Sequence, residues 1–218
     1  DALIAGFGSG GANLRDYAGS IQTVFAGCGF GGVDELIVSF GSKFTPRYST
    51  SGKASTIYAS AFSQTKGVRR ITVKCGYDNP SSQDMSGFMH ENNGCETLDI
   101  SNITPLSISG ARNMFNYAES LREIIGELDL SGCTQFYNTF RSTSSLETVR
   151  FAGESLKASI SFADSTNLAA ESIQSIIDGL ADLTGGTAQT LTLHATVGAK
   201  LTDTQKSAIS AKNWTVTY

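Results

Sequence analysis

One pattern recurs along this chain and limits what it can fold into. A phenylalanine is followed six to eight positions on by an apolar residue, and then by an apolar pair at i and i+2. The clear members are Phe25…Val33…Leu36-x-Val38, Phe62…Val68…Ile71-x-Val73, Phe88…Cys95…Leu98-x-Ile100 and Phe140…Leu146…Val149-x-Phe151. Two more carry insertions. Phe115 and Leu121 lead to Leu128-x-Leu130 across Arg122 to Glu127, and Phe162 and Leu168 precede a helical stretch before Leu191-x-Leu193. Successive phenylalanines are 37, 26, 27, 25 and 22 residues apart. The i, i+2 pair is strand alternation, with one face inward and the intervening residues outward. The phenylalanine falls on a short helix or turn, as in Ala111-Arg112-Asn113-Met114-Phe115. One such unit cannot bury its own apolar face, so neighbours must stack, with strands about 4.8 Å apart in a parallel ladder. The expected fold class is an α/β solenoid of short parallel strands with helical turns.

Three segments follow from this pattern. Residues 1–20 form a Gly-rich lead-in or cap, residues 21–165 the stacked repeats, and residues 166–218 a terminal repeat with a helix-strand cap. Within the cap, Ile173, Ile176, Ile177 and Leu180 lie on one helical face. Gly185-Gly186 is expected to stop that helix. Thr202-Asp203-Thr204-Gln205 reads as a capping box opening a second helix, and Trp214 to Tyr218 as a closing strand.

The front of the chain carries Gly6-Phe7-Gly8-Ser9-Gly10-Gly11, which matches G-x-G-x-x-G. A dinucleotide site needs an acidic residue at the end of the next strand, but Leu36-Ile37-Val38 ends in Ser39 and Phe40. The remaining chain does not alternate strands with long helices, so a flexible Gly-rich lead-in is the plainer reading. The chain opens on Asp1 rather than methionine, which fits a processed chain or a fragment whose export signal is already gone.

Charged residues make up only 17% of the chain, and 16 basic against 20 acidic residues give a net charge of −4. There is no basic stripe for a nucleic acid and no apolar run long enough for a membrane span. Cys28, Cys75, Cys95 and Cys133 contain no C-x-x-C, so buried free thiols are expected rather than a zinc or redox site. One disulfide is the alternative. His90 and His194 have no partner at metal-ligand spacing and read as structural or solvent-facing. No G-x-S-x-G elbow marks a nucleophile. No cofactor, metal or catalytic residue is expected.

The units Ile57–Val73, Gln83–Ile100, Ala111–Leu130 and Gln135–Phe151 resemble the BspA-like leucine-rich repeat family. The likeness rests on Thr97-Leu98-Asp99-Ile100-Ser101, Glu127-Leu128-Asp129-Leu130-Ser131 and Ser145-Leu146-Glu147. The tail from Asn167 through Lys212-Asn213-Trp214 is similar to the terminal unit of such proteins from gut bacteria and their phages. The resemblance covers about residues 20 to 218. It departs at the 37-residue first spacing, the Arg122–Glu127 insertion and the Gly-rich front.

The resemblance implies a non-enzymatic binding scaffold that is extracellular, on a bacterial surface, secreted or on a phage virion. Its partner would be a protein or glycan receptor, as in adhesion. The alternative is a structural virion or envelope component packing against copies of itself or a neighbouring subunit. An enzyme with an unrecognised site is the distant third. The candidate binding residues are the outward strand positions: Glu35 and Ile37, Arg70 and Thr72, Thr97 and Asp99, Glu127 and Asp129, Thr148 and Arg150, and Thr190 and Thr192. The competing reading of that face is a solvated sheet without a partner. Tyr58, Tyr77, Tyr117, Phe136 and Tyr137 fall on the turns, where they serve either sugar stacking or packing.

Overall fold

The structure is a computed structural model and describes residues 2–7, 25–30, 33–40, 60–75, 83–103 and 107–218. The first strands in chain order are β1 (Ala2–Phe7), β2 (Glu35–Phe40), β3 (Arg70–Cys75) and β4 (Gln83–Asp84). Next come β5 (Thr97–Asn102), β6 (Ile108–Gly110), β7 (Glu123–Ile125) and β8 (Ile160–Phe162). Then follow α1 (Ala170–Gly179), β9 (Gln189–Leu193), α2 (Ala195–Gly198), α3 (Asp203–Ala211) and β10 (Trp214–Thr217). The fold is of α/β type, with every strand pairing parallel and no closed barrel among the described residues.

The largest sheet has the order β1-β2-β3-β5-β7, so each strand lies against the next long strand of the sequence. Its register pairs Leu36 with Ile71, Ile71 with Leu98 and Leu98 with Ile124. All four side chains are buried, as period-two alternation requires. β1 pairs with β2 from Ala2↔Glu35 to Phe7↔Phe40, so the front of the chain supplies an edge strand instead of a loose lead-in. The rest of the Gly-rich motif, Gly8–Gly11, lies outside the described residues, as do Tyr58 and Tyr77.

The phenylalanine turns stack by their own hydrogen bonds. Phe25 N–H donates to Ala61 O, Phe62 N–H to Phe88 O, Met89 N–H to Met114 O and Phe115 N–H to Thr139 O. In a parallel ladder an N–H donating to residue j−1 marks alignment with residue j. Phe25, Phe62, Met89, Phe115 and Phe140 therefore hold one equivalent position. Phe88 instead occupies the place of Ala61 and Met114, so the third unit is shifted by one residue from the sequence expectation. Both Phe88 and Met89 are buried, which is why the apolar pattern alone did not fix the register. Phe162 departs further: it sits on β8, where Ile160 and Phe162 are buried and Ser161 is exposed. Its ring still stacks on Phe140 at 4.6 Å.

The insertion at Arg122–Glu127 also resolves differently. Glu123 bridges Thr148 and Leu128 bridges Phe151, so one chain advances five residues while its neighbour advances three. Two residues bulge, and Gly126 takes φ +112° with its Cα side against Ser101. A Cβ there would lie 3.0 Å from the Ser101 nitrogen, so glycine fits both the dihedral and the space.

The C-terminal elements close the stack. α1 ends at Gly179, not at Gly185-Gly186, because Leu180 turns to extended backbone with ψ 125°. The Lys212 ammonium donates to the carbonyls of Ile177, Asp178 and Leu180 at 3.1, 3.2 and 2.7 Å. A cation at that end suits the negative pole of the helix. Gly185 turns the following loop with φ +80°. The capping box at Thr202 and Gln205 forms in both directions, and β10 pairs parallel with β9. One continuous apolar core runs from Phe25 to Trp214.

Candidate functional site

Two surfaces come from the same repeat, the outward strand face and the outer edge of the stacked turns. On the strand face, register aligns Glu35, Arg70 and Thr97 in one row and Ile37, Thr72 and Asp99 in the next. These six expected residues are thus brought together. The charges among them answer one another. Arg70 lies 3.3 Å from Glu35 Oε1 and donates to Asp99 Oδ2 at 2.8 Å. The Thr72 hydroxyl donates to Glu35 Oε1 at 2.8 Å and is only 4% exposed, so it is covered rather than presented to solvent.

The next places in the rows belong to Glu123 and Ile125, not to Glu127 and Asp129. The two-residue bulge moves the latter pair along, so Glu127 is exposed and Asp129 half-buried. Thr148 meets Glu123 through a single bridge, and Arg150 is exposed beyond it. Thr190 and Thr192 lie on β9 in a different sheet, ordered β10-β9-β8, and do not join these rows. The Thr192 and Thr217 hydroxyls hydrogen-bond each other at 3.0 Å.

The aspartates have a local task as well. Asp99 Oδ1 accepts from the Ser101 amide at 3.1 Å, and Asp129 Oδ1 from the Ser131 amide at 2.9 Å. Asp84 does the same for Ser86, and Asp182 for Thr184. In the recurring Asp-x-Ser/Thr step the aspartate holds the backbone amide two residues on, the Asx-type contact that aspartate makes readily. The two Thr184 hydrogen bonds hold the Asp182 carboxyl below its ordinary range.

The turn edge carries a different arrangement. Each turn places two residues at positive φ. At the first position stand Ser60, Gly87, Asn113 and Asn138, with φ between 52° and 67°. At the second stand Gly27, Gln64, Glu91, Tyr117 and Ser142, with φ between 55° and 70°. Gly and Asn are the residues that tolerate this backbone, and the first position largely uses them. The second position carries Gln, Glu and Tyr in consecutive turns, which costs about 1 kcal/mol or more per residue.

Those three side chains line a groove of about 590 Å³ together with Gly27, Lys66, Asn93 and Glu119. The lining is two parallel rows: Gln64, Glu91 and Tyr117 in one, and Lys66, Asn93 and Glu119 two residues further on. Gln64 donates to Glu91 Oε2 at 2.7 Å, and His90 Nε2 lies 3.5 Å from Glu91 Oε1. The Arg141 guanidinium sits 5.1 Å from the centre of the Tyr117 ring, and the His90 ring lies 6.4 Å from it, tilted by 51°. The Asn93 carbonyl accepts from the Ser120 hydroxyl at 2.6 Å. Tyr117 was legible as a turn aromatic. The others were missed because their shared position appears only when Met89, not Phe88, is aligned with Phe62.

A smaller cavity of about 270 Å³ lies near Phe136, Arg141 and Asp164. Tyr137 is 59% exposed, with Arg112 over its ring at 5.3 Å. Cys95 and Cys133 carry free thiols, and burial pushes both up to about 12. His194 caps α2 by accepting from the Thr196 amide. Among the described residues no three His, Cys, Asp or Glu side chains gather as metal ligands. No helix among the described residues is long and apolar enough to cross a membrane. Set beside known proteins, the chain matches no protein-family model, no curated protein and no solved structure.

Proposed function

We propose that the chain is a leucine-rich-repeat-like solenoid of the BspA-like kind. In this reading it acts without catalytic turnover as a recognition module displayed outside the cell, on a bacterial surface or a phage virion, for a protein or glycan receptor. The observation that carries it is the groove along the turn edge. It spans four aligned turns, and three of its side chains, Gln64, Glu91 and Tyr117, stand on a strained positive-φ backbone that glycine or asparagine would occupy at less cost. Repeat stacks offer such extended surfaces because each unit adds one row of equivalent positions. The outward strand face supports recognition less well, since Arg70 is already shared between Glu35 and Asp99.

That self-paired face favours a second reading, a structural virion or envelope component packed against copies of itself or a neighbouring subunit. Quantitative mass spectrometry of purified virions and of the envelope fraction from the source culture tests both. Peptides in either fraction, together with binding of the purified chain to whole cells, are the outcome expected for recognition. A fixed copy number in virions without cell binding favours the structural reading. Peptides confined to the cytosol defeat both.

A further inference from the structure

The groove's chemistry narrows the ligand, on the footing of the recognition reading above. We infer that it binds an uncharged oligosaccharide, with one sugar ring against Tyr117 and its hydroxyls hydrogen-bonded by Glu91, Asn93 and Glu119. None of the described lining residues is aliphatic or phenylalanine, so the described lining offers a peptide's apolar side chains no anchoring pocket. It offers instead one aromatic ring among carboxylates and carboxamides, groups that meet a sugar's apolar face and its hydroxyls. The described lining mixes the Lys66 ammonium with the Glu91 and Glu119 carboxylates, and Glu91 accepts from Gln64, so it presents no run of one charge to a polyanion or a polycation. Turns recur at the parallel-strand spacing of about 4.8 Å, the scale of one sugar residue, and four turns make the site a short-oligosaccharide one. Arg141 over Tyr117 and His90 beside it hold the ring before any ligand arrives, which lowers the ordering cost of binding.

The residue choice points the same way. At the other positive-φ position the chain uses Ser, Gly, Asn and Asn, whereas the groove row keeps Gln64, Glu91 and Tyr117. A glycine at Tyr117 relieves the backbone, so a ligand role and a packing role for the side chain predict opposite effects on stability.

The test is saturation-transfer NMR with maltotriose, cellotriose, mannotriose and N-acetylchitotriose, using the full chain, Tyr117→Gly and Glu119→Gln, with thermal melts of each. At least one trisaccharide should receive saturation from the unsubstituted chain. Its signal should vanish with Tyr117→Gly while the melting temperature holds or rises. Glu119→Gln, a change at an exposed residue, should weaken the same signal and decides the case if Tyr117→Gly melts early. Silence toward all four sugars, or binding indifferent to both substitutions, overturns the groove assignment. A fluorescent form of the chain on cells of the source culture separates the two levels. Cell binding without sugar binding leaves recognition standing with a protein receptor, and absence of both removes the recognition reading as well.

Discussion

At the scale of single residues, the fold rests on side chains that repeat one job in unit after unit. Phe62, Phe115 and Phe140 are buried at equivalent turn positions, and Phe140 also meets Phe151 edge-on at 6.0 Å. Asn92 is buried and ties its turn both ways, donating to Phe62 O at 3.0 Å and accepting from the Cys95 amide at 3.1 Å. Cys95 takes the apolar place that Val68 and Leu121 fill in neighbouring units, and its thiol lies 3.1 Å from Thr97 O. This gives a pH dependence. Desolvation raises the Cys95 thiol to about 12, against about 8.5 for an unfolded cysteine. Below the unfolded value both states hold the proton and stability does not change on this account. Above it the unfolded chain ionises first, so stability should fall by up to about 1.4 kcal/mol per pH unit until the folded value is reached. Urea titrations at stepped alkaline pH should show a shallower decline for Cys95→Ala than for the unsubstituted chain. Parallel declines would exclude this thiol as the cause.

At the scale of elements, the most informative piece is α1, because it ends a ladder without a strand. Ala169 N–H donates to Glu147 O at 3.0 Å, where the next strand would have begun. The Ser172 hydroxyl accepts from the Val149 amide at 3.0 Å and donates to Glu147 O at 2.9 Å. Ser175 accepts from the Phe151 amide at 2.9 Å. Two helical serines thus satisfy the edge that Glu147–Phe151 would expose, which removes a template for unwanted pairing. The amphipathic pattern of Ile173, Ile176 and Ile177 announced the helix, but nothing in the sequence marked its serines as edge caps. Ser172→Ala should cost about 1–3 kcal/mol, since it strands a buried amide. The check is a urea midpoint that drops at unchanged m-value; an unmoved midpoint would mean water or a neighbour replaces the hydroxyl.

Across the whole molecule, the stacking axis organises charge. Arg69 N–H donates to Asp34 O, Glu96 N–H to Arg69 O, Arg122 N–H to Glu96 O and Glu147 N–H to Arg122 O. The side chains just ahead of the strands therefore alternate in sign: Asp34, Arg69, Glu96, Arg122 and Glu147. Arg69 pairs with Glu96 at 3.1 Å and Arg122 with Glu147 at 3.3 Å. The Arg69 hydrogen bond holds the Glu96 carboxyl below its ordinary range, and Glu96 in turn raises Arg69. Such exposed pairs add little stability one by one, but their order matters because a shift by one unit would set like charges side by side. Arg122→Glu creates that situation at three consecutive units. Its melting temperature should be lower at low ionic strength, and the deficit should shrink as sodium chloride is added. A deficit constant across salt would assign the effect to lost packing of the arginine stem.

The sequence by itself determined the repeat, the inward strand pairs and the second helix's capping box. Each of these is written in neighbouring residues, through strand alternation or through a cap that closes within one helical turn. The third turn's alignment was obscured because Phe88 and Met89 are both buried; hydrogen bonds between turns choose Met89, which keeps the six-residue spacing to Cys95 that Phe62 keeps to Val68. The two-residue bulge moved Glu123 and Ile125 into the rows expected for Glu127 and Asp129. Pairing of β9 with β8 and β10 placed Thr190 and Thr192 in another sheet. The groove is the furthest from the sequence. Its lining comes from residues 26 to 37 positions apart in described turns, and the positive φ shared by Gly27, Gln64, Glu91 and Tyr117 is a property of stacked backbones rather than of residue type. Long-range register, set by ladders between units, decided which side chains share a surface.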